Sequence, residues 1–167
     1  NGDEFINHAS QIADLAKKKI KKESLGILRN LSVEASTLLL ENSISPLPLH
    51  KSLILLEAIH YYKDGRYHHH ELLAFAKALV FSISNLHFGP EVGVCRLKKQ
   101  DAPVIELWMN EIISMAGDLY AIPKHQPAAK VHYADSRQLS PVLKQKSIDA
   151  VFTSPPYPNE KDYTRTT

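Results

Sequence analysis

The sequence predicts an α/β protein in two parts, a mostly helical region over residues 1–126 and the start of a parallel sheet over residues 127–167. Three observations predict it. Apolar residues recur at helical spacing from Asp3 to about Tyr120, the pattern then changes after Ile122-Pro123, and two apolar runs of strand length flank a short polar stretch beyond it. Strand, helix and strand in that order is the sequence pattern of a parallel βαβ unit.

In the first part, Leu72, Leu73, Phe75, Ala76, Leu79, Val80 and Ile83 follow the spacing that lays one apolar stripe along a helix. So do Ile105, Trp108, Met109, Ile112, Ile113, Ala116 and Leu119. Asp101-Ala102-Pro103 precedes that second helix, with Asp as a good N-cap and Pro suited to a first turn. A third helix is expected from Leu49 to Tyr62, between the prolines at 46 and 48 and Asp64-Gly65. One or two more belong between Glu4 and Asn42. Asn85 to Gln100, with Phe88-Gly89-Pro90 and Gly93, reads as a loop between helices. In the second part, Lys130–Ala134 and Ile148–Thr153 are the expected strands, with a short helix over Ser136–Lys144.

Composition narrows the functional classes. The chain is 44% apolar and 23% charged, as in a soluble globular protein. Lys and Arg exceed Asp and Glu by only two, so bulk charge does not announce nucleic-acid binding, and any such contact rests on local residues. The single cysteine, Cys95, excludes an internal disulfide framework and a multi-thiolate metal site and fits a reducing compartment. No apolar run approaches the roughly 20 residues of a membrane span. The acidic opening Asn1-Gly2-Asp3-Glu4 is no signal peptide, and a cytoplasmic protein is expected. Both ends read as cuts in a longer protein.

Chemistry concentrates where the second apolar run meets Ser154-Pro155-Pro156-Tyr157. A rigid polar loop at the carboxyl end of a buried strand is where ligands sit in open α/β sheets. Two consecutive prolines fix φ and remove two N–H groups, so the Ser154 and Pro155 carbonyls are presented as acceptors with little freedom. A base amine can donate to them. The Tyr157 ring can stack on a base drawn out of the duplex, worth about 1–3 kcal/mol against the cost of flipping.

These residues resemble motif IV of the S-adenosylmethionine-dependent DNA amino-methyltransferases, in which Asp, Asn or Ser is followed by Pro-Pro and an aromatic. The extension Pro158-Asn159, then Asp162-Tyr163-Thr164-Arg165, is similar to a bacterial subgroup of them. The resemblance implies a Rossmann-like sheet, S-adenosylmethionine as cofactor and double-stranded DNA with a flipped target base as partner, in a restriction–modification system with a cognate endonuclease. It implies that Ser154 and the Pro155 carbonyl hold the amine, within a catalytic motif of Ser154, Pro155, Pro156 and Tyr157, and that the methyl group passes directly to it. The serine form leans toward cytosine N4, with adenine N6 as the alternative. Tyr133-Ala134-Asp135-Ser136-Arg137 resembles motif III, which makes Asp135 the candidate contact to the cofactor; the bland reading of the same residues is a helix N-cap. The family's glycine-rich cofactor loop has no counterpart in the 167 residues, so this chain is expected to be inactive by itself, with the helical region an insertion in the methyltransferase domain.

Other features have plainer readings. His68-His69-His70 reads as a solvated helix end, since three adjacent histidines cannot all face one ion. Lys17–Lys19 with Lys21 and Lys22 reads as a solvated face. Arg96, Lys98 and Lys99 beside Phe88–Gly93 read either as a substrate-facing loop or as an ordinary connection. Trp108, Met109 and Met115 read as core. The rival to the enzyme is a helical interaction module with a proline-rich tail, which leaves Tyr157 exposed; methylation of RNA or of a protein glutamine is the chemically closest third option.

Overall fold

The structure, a computed structural model, describes residues 1–23, 26–63, 65–89, 91–122, 129–135, 137–139 and 141–153. The chain falls into two compact units, Asn1–Lys124 and His125–Thr167.

The first unit is a helical assembly. Its elements are α1 (Gly2–Glu23), the single turn α2 (Val33–Ser36), α3 (Pro46–Tyr61), α4 (His68–Ala78) running into a π turn (Leu79–Ile83), β1 (Leu86–Phe88), β2 (Val92–Val94) and α5 (Val104–Ala121). Helix α1 is amphipathic: Phe5, Ala9, Ile12, Ala13 and Ala16 form its buried stripe, and its charges suit the helix dipole, with Asp3 and Glu4 in the first turn and Lys21 and Lys22 in the last. The small residues on that stripe let α1 lie close to α5. At Gly2 a Cβ would come 3.1 Å from the Ala116 carbonyl and the Tyr120 ring, so the start of α1 packs tightly on the end of α5.

Helix α3 starts at Pro46, not at Leu49 as the prolines suggested. Proline belongs in a first helical turn, where the backbone N–H groups have no intrahelical partner, so Pro46 and Pro48 open the helix rather than precede it. Helix α4 also departs from the sequence reading. Glu71, Ala74, Phe75 and Ala78 turn inward while Leu73 and Ala76 are exposed. The segment is apolar on most sides, so packing against α5 and α3 chooses the face, and the π turn then shifts the phase before Ile83 returns to the core. Helix α5 buries Val104, Ile105, Trp108, Ile112 and Ala116; Met109 and Met115 pack partly buried against this core, and Ile113 and Leu119 are exposed. Asp101 does not cap it. The Asp101 carboxylate takes the Ala102 N–H and pairs with Lys51 on α3 at 2.6 and 2.7 Å.

Residues 85–100 are not a plain loop. Strands β1 and β2 pair antiparallel with Leu86 opposite Val94, His87 opposite Gly93 and Phe88 opposite Val92. The hairpin's base is set by Asn85, only 2% exposed. Its N–H donates to the Ser43 carbonyl at 2.7 Å and its carbonyl accepts from the Cys95 N–H at 2.8 Å. Its amide nitrogen donates to the Asn42 carbonyl and Ser45 Oγ, both at 3.1 Å, and its side-chain oxygen accepts the Lys99 N–H at 2.9 Å. Both backbone groups and both ends of the side chain are thus satisfied, which is what burying an asparagine requires.

In the second unit, none of the described residues forms a strand or helix. Asp135 C=O accepts the Gln138 N–H at 2.9 Å, and Leu139 C=O accepts the N–H groups of Val142 and Leu143 at 3.0 and 2.9 Å. Turns therefore stand where a short helix was expected. The expected strands at Lys130–Ala134 and Ile148–Thr153 carry no ladder, and the one sheet among the described residues is the hairpin of the first unit. A strand exists only through hydrogen bonds to a neighbour, and these two runs find none among the described residues. Their apolar side chains are exposed, Val131 at 100%, Val151 at 79% and Phe152 at 98%.

Candidate functional site

Ser154, Pro155, Pro156 and Tyr157 lie outside the described residues, and so does the extension from Pro158 to Arg165. Asp135 is described and exposed. Its Oδ1 accepts the Arg137 N–H at 2.9 Å and Arg137 Nε at 3.0 Å, while Oδ2 accepts Nη2 at 2.7 Å. The Arg137 guanidinium, helped by that backbone N–H, holds the Asp135 carboxyl below its usual range. It is an ionised acceptor clamped by the residue two places on. Arg137 Nε also reaches Oδ2 at 3.2 Å, so both carboxylate oxygens are taken up by Arg137 in this arrangement.

Asp135 was also read as a possible helix N-cap. The chain after it makes a turn instead, so its carboxylate orients its own loop and Arg137. The nearest concavity in this unit is shallow and lined by Leu139, Leu143 and residues 144–148, without Asp135.

The helical unit contains two polar arrangements that residue spacing did not reveal. His8 Nδ1 on α1 stands 2.6 Å from Oε1 of the fully buried Glu71 on α4. The Glu71 backbone carbonyl also accepts Trp108 Nε1 at 3.1 Å, so one turn of α4 is tied to α1 by its side chain and to α5 by its main chain. An imidazole–carboxylate pair is a common catalytic element, but here it bridges helices inside a packed core. The small cavity of this unit, about 240 Å³ beside Lys17, Lys51 and the start of α5, does not include it. The second arrangement is the histidine run. His69 and His70 are exposed as expected, whereas His68 is buried, with its ring 5.3 Å from that of His60 on α3. Burial, with His60, Lys63 and His69 adding positive charge nearby, pushes the His68 imidazole below its usual value.

The basic residues divide sharply. Lys17 and Lys19 of α1 pair with Glu106 and Glu57 at 3.6 and 2.8 Å, which fits a solvated, charge-matched face. Lys99 instead donates to the carbonyls of Ser82 and Ser84 at 2.6 and 2.8 Å, and Lys98 donates to the Cys95 carbonyl. The two Lys99 bonds tie the segment after β2 to the π turn and its cap. Among the described residues, no group of three or more His, Cys, Asp or Glu side chains is placed to hold a metal ion, and no helix is long and apolar enough to cross a membrane. Comparison of the chain with protein-family models, with curated proteins and with solved structures finds no match.

Proposed function

We propose that this chain carries the catalytic motif of an S-adenosylmethionine-dependent DNA methyltransferase of Rossmann-like fold, acting on the exocyclic amine of cytosine at N4. The observation that carries the reading is the sequence Ser154-Pro155-Pro156-Tyr157 running directly out of the apolar segment Ile148–Thr153. The exposure of Val131, Tyr133, Val151 and Phe152 supports it, because strand-length apolar runs left in water are what sheet strands look like without their neighbours. In this reading the neighbouring strands and the glycine-rich cofactor loop come from outside these 167 residues.

The chemistry asked of the chain's own residues is positioning. Ser154 and the Pro155 carbonyl accept hydrogen bonds from the amine and fix the direction of its nitrogen lone pair. Tyr157 stacks on the flipped base and offsets part of the unstacking cost. Asp135, ionised and exposed, is the acceptor for the amino group of the cofactor's adenine in this reading, a role that requires Arg137 to give up part of its hold on the carboxylate. Bound S-adenosylmethionine supplies an electrophilic methyl group on a sulfonium. No covalent step through Cys95 is needed; that thiol is half-buried against the Leu86 carbonyl in the helical unit.

The test is methyl transfer by the intact protein to duplex DNA, with the product base identified by mass spectrometry. N4-methylcytosine is expected, and Ser154→Ala or Tyr157→Ala lowers the rate by about 100-fold, the scale on which a single well-aimed hydrogen-bonding group acts. Near-normal rates in both variants reject the reading, and N6-methyladenine as product moves it to the adenine alternative. One observation favours the rival, a helical interaction module: Val131 and Val151 do not lie in paired strands among the described residues. The same assay separates the two, since the module has no transferase activity to lose.

A further inference from the structure

We propose that the β1–β2 hairpin is a contact for duplex DNA, entering the major groove with Phe88 and Val92 leading and with Arg96 on the phosphate backbone. Three independent features of the first unit converge there.

The first is charge. Residues 79–100 contain Arg96, Lys98 and Lys99 against the single carboxylate Glu91, an excess of two, which equals the net charge of the whole chain. None of the three cations meets a carboxylate among the described residues, unlike Lys17 and Lys19 on α1. Lys98 and Lys99 are held by neutral carbonyls. Such bonds orient an ammonium without cancelling its charge, so the positive potential of this connection stays available to a polyanion.

The second is the apolar surface set within that charge. Phe81 of the π turn is 65% exposed and Phe88 of β1 is 47% exposed, with ring centroids 5.1 Å apart. Val92, opposite Phe88 across the hairpin, is exposed as well. Cross-strand partners share a face of a two-stranded ribbon, so Phe88 and Val92 present one apolar edge next to the tip. An apolar edge without cations would fit another protein. An apolar edge near the tip, with cations beyond the base that meet no carboxylate among the described residues, fits a duplex, whose major groove admits a two-stranded ribbon and displays thymine methyl groups between rows of phosphates.

The third is preorganisation. Asn85 anchors the base of the hairpin through four bonds, and Cys95 N–H closes it onto Asn85. At Gly89 a Cβ would come 3.1 Å from the His87 ring, so that ring folds closely over the turn. A hairpin fixed in this way loses little conformational freedom on binding.

The inference rests on the proposed reading in taking DNA as the substrate, but it uses none of the residues that carry the chemistry. The experiment is therefore equilibrium binding of the intact protein to a fluorescently labelled mixed-sequence duplex, without methyl donor, across salt from about 50 to 200 mM. Arg96→Gln is expected to lower the slope of log affinity against log salt by about one and to weaken binding several-fold at low salt. Phe88→Ala is expected to weaken binding about 5-fold, the lower end for loss of one base-edge contact, with the slope unchanged. Lys22→Gln on the exposed end of α1 leaves both unchanged. Circular dichroism checks that each variant retains its helices. Three results overturn the proposal: both hairpin variants bind as the parent does, binding is independent of salt, or Phe88→Ala dissociates a dimer in sedimentation velocity, which would make the edge an interface between copies. Failure of Ser154→Ala to slow methylation rejects the reaction alone; normal DNA binding by Arg96→Gln and Phe88→Ala rejects the hairpin contact alone.

Discussion

Replacing Trp108 tests whether the helical unit is held as its geometry implies. Trp108 is the largest fully buried side chain, with no exposed surface, and its Nε1 donates to the Glu71 carbonyl at 3.1 Å. Truncation to alanine removes its apolar burial and leaves a cavity between α4 and α5, a loss of about 3–5 kcal/mol for a fully buried aromatic. The bond to Glu71 adds about 1 kcal/mol. At about 3–5 °C per kcal/mol for a unit of this size, Trp108→Ala lowers the unfolding midpoint by roughly 12–30 °C. Trp108→Phe keeps most of the volume, loses the N–H donor, and falls by about 1–2 kcal/mol. Far-UV circular dichroism in urea measures both. The protein has a single tryptophan, so fluorescence of the parent must report the same transition as circular dichroism if Trp108 belongs to the cooperative core. A loss below about 1 kcal/mol for Trp108→Ala, or two separated transitions in the parent, refutes the reasoning.

Two further outcomes follow from polar groups. Lys99→Met removes the donor to the Ser82 and Ser84 carbonyls; hydrogen exchange over residues 86–94 should accelerate while α1 and α5 keep their protection, at a global cost of about 1 kcal/mol, and unchanged exchange would show that Asn85 alone fixes the hairpin. For His68, whose folded value lies below 6.5, the unfolded chain binds its proton first. Stability is therefore full above pH 6.5 and declines as pH falls from there through the lower folded value. His68→Met should flatten the fall in midpoint measured by thermal scans below pH 6.5, and an identical pH profile in parent and variant would remove His68 as its cause.

Local pattern was enough to find α3 and α5 and to place Trp108, Met109 and Met115 in the core, because helical hydrogen bonds close within four residues and the apolar stripe repeats at the same interval. The same rule failed in detail on α4, where apolar residues on several sides left the buried face to be chosen by α5 and α3. The candidate site was legible in a different sense. Ser154-Pro155-Pro156-Tyr157 is a pattern read from the sequence alone, and Asp135 is proposed from its place before it.

Tertiary structure decided everything that depends on a distant partner. Asn85 gives no local signal, since its bonds reach back 43 residues to Asn42 and forward 14 to Lys99. Burial of His68, the pairing of His8 with Glu71 across 63 residues and the diversion of Asp101 from a cap to Lys51 are of the same kind. The runs at Val131 and Val151 show the limit from the other side: alternation and β-branching make a segment competent to be a strand, but the ladder belongs to two strands at once. The sequence by itself determined the helical periodicity and the Ser-Pro-Pro-Tyr pattern on which the proposed function rests, which are local; packing alone decided which polar groups are buried and which strands exist, because those require groups far apart in the chain to meet.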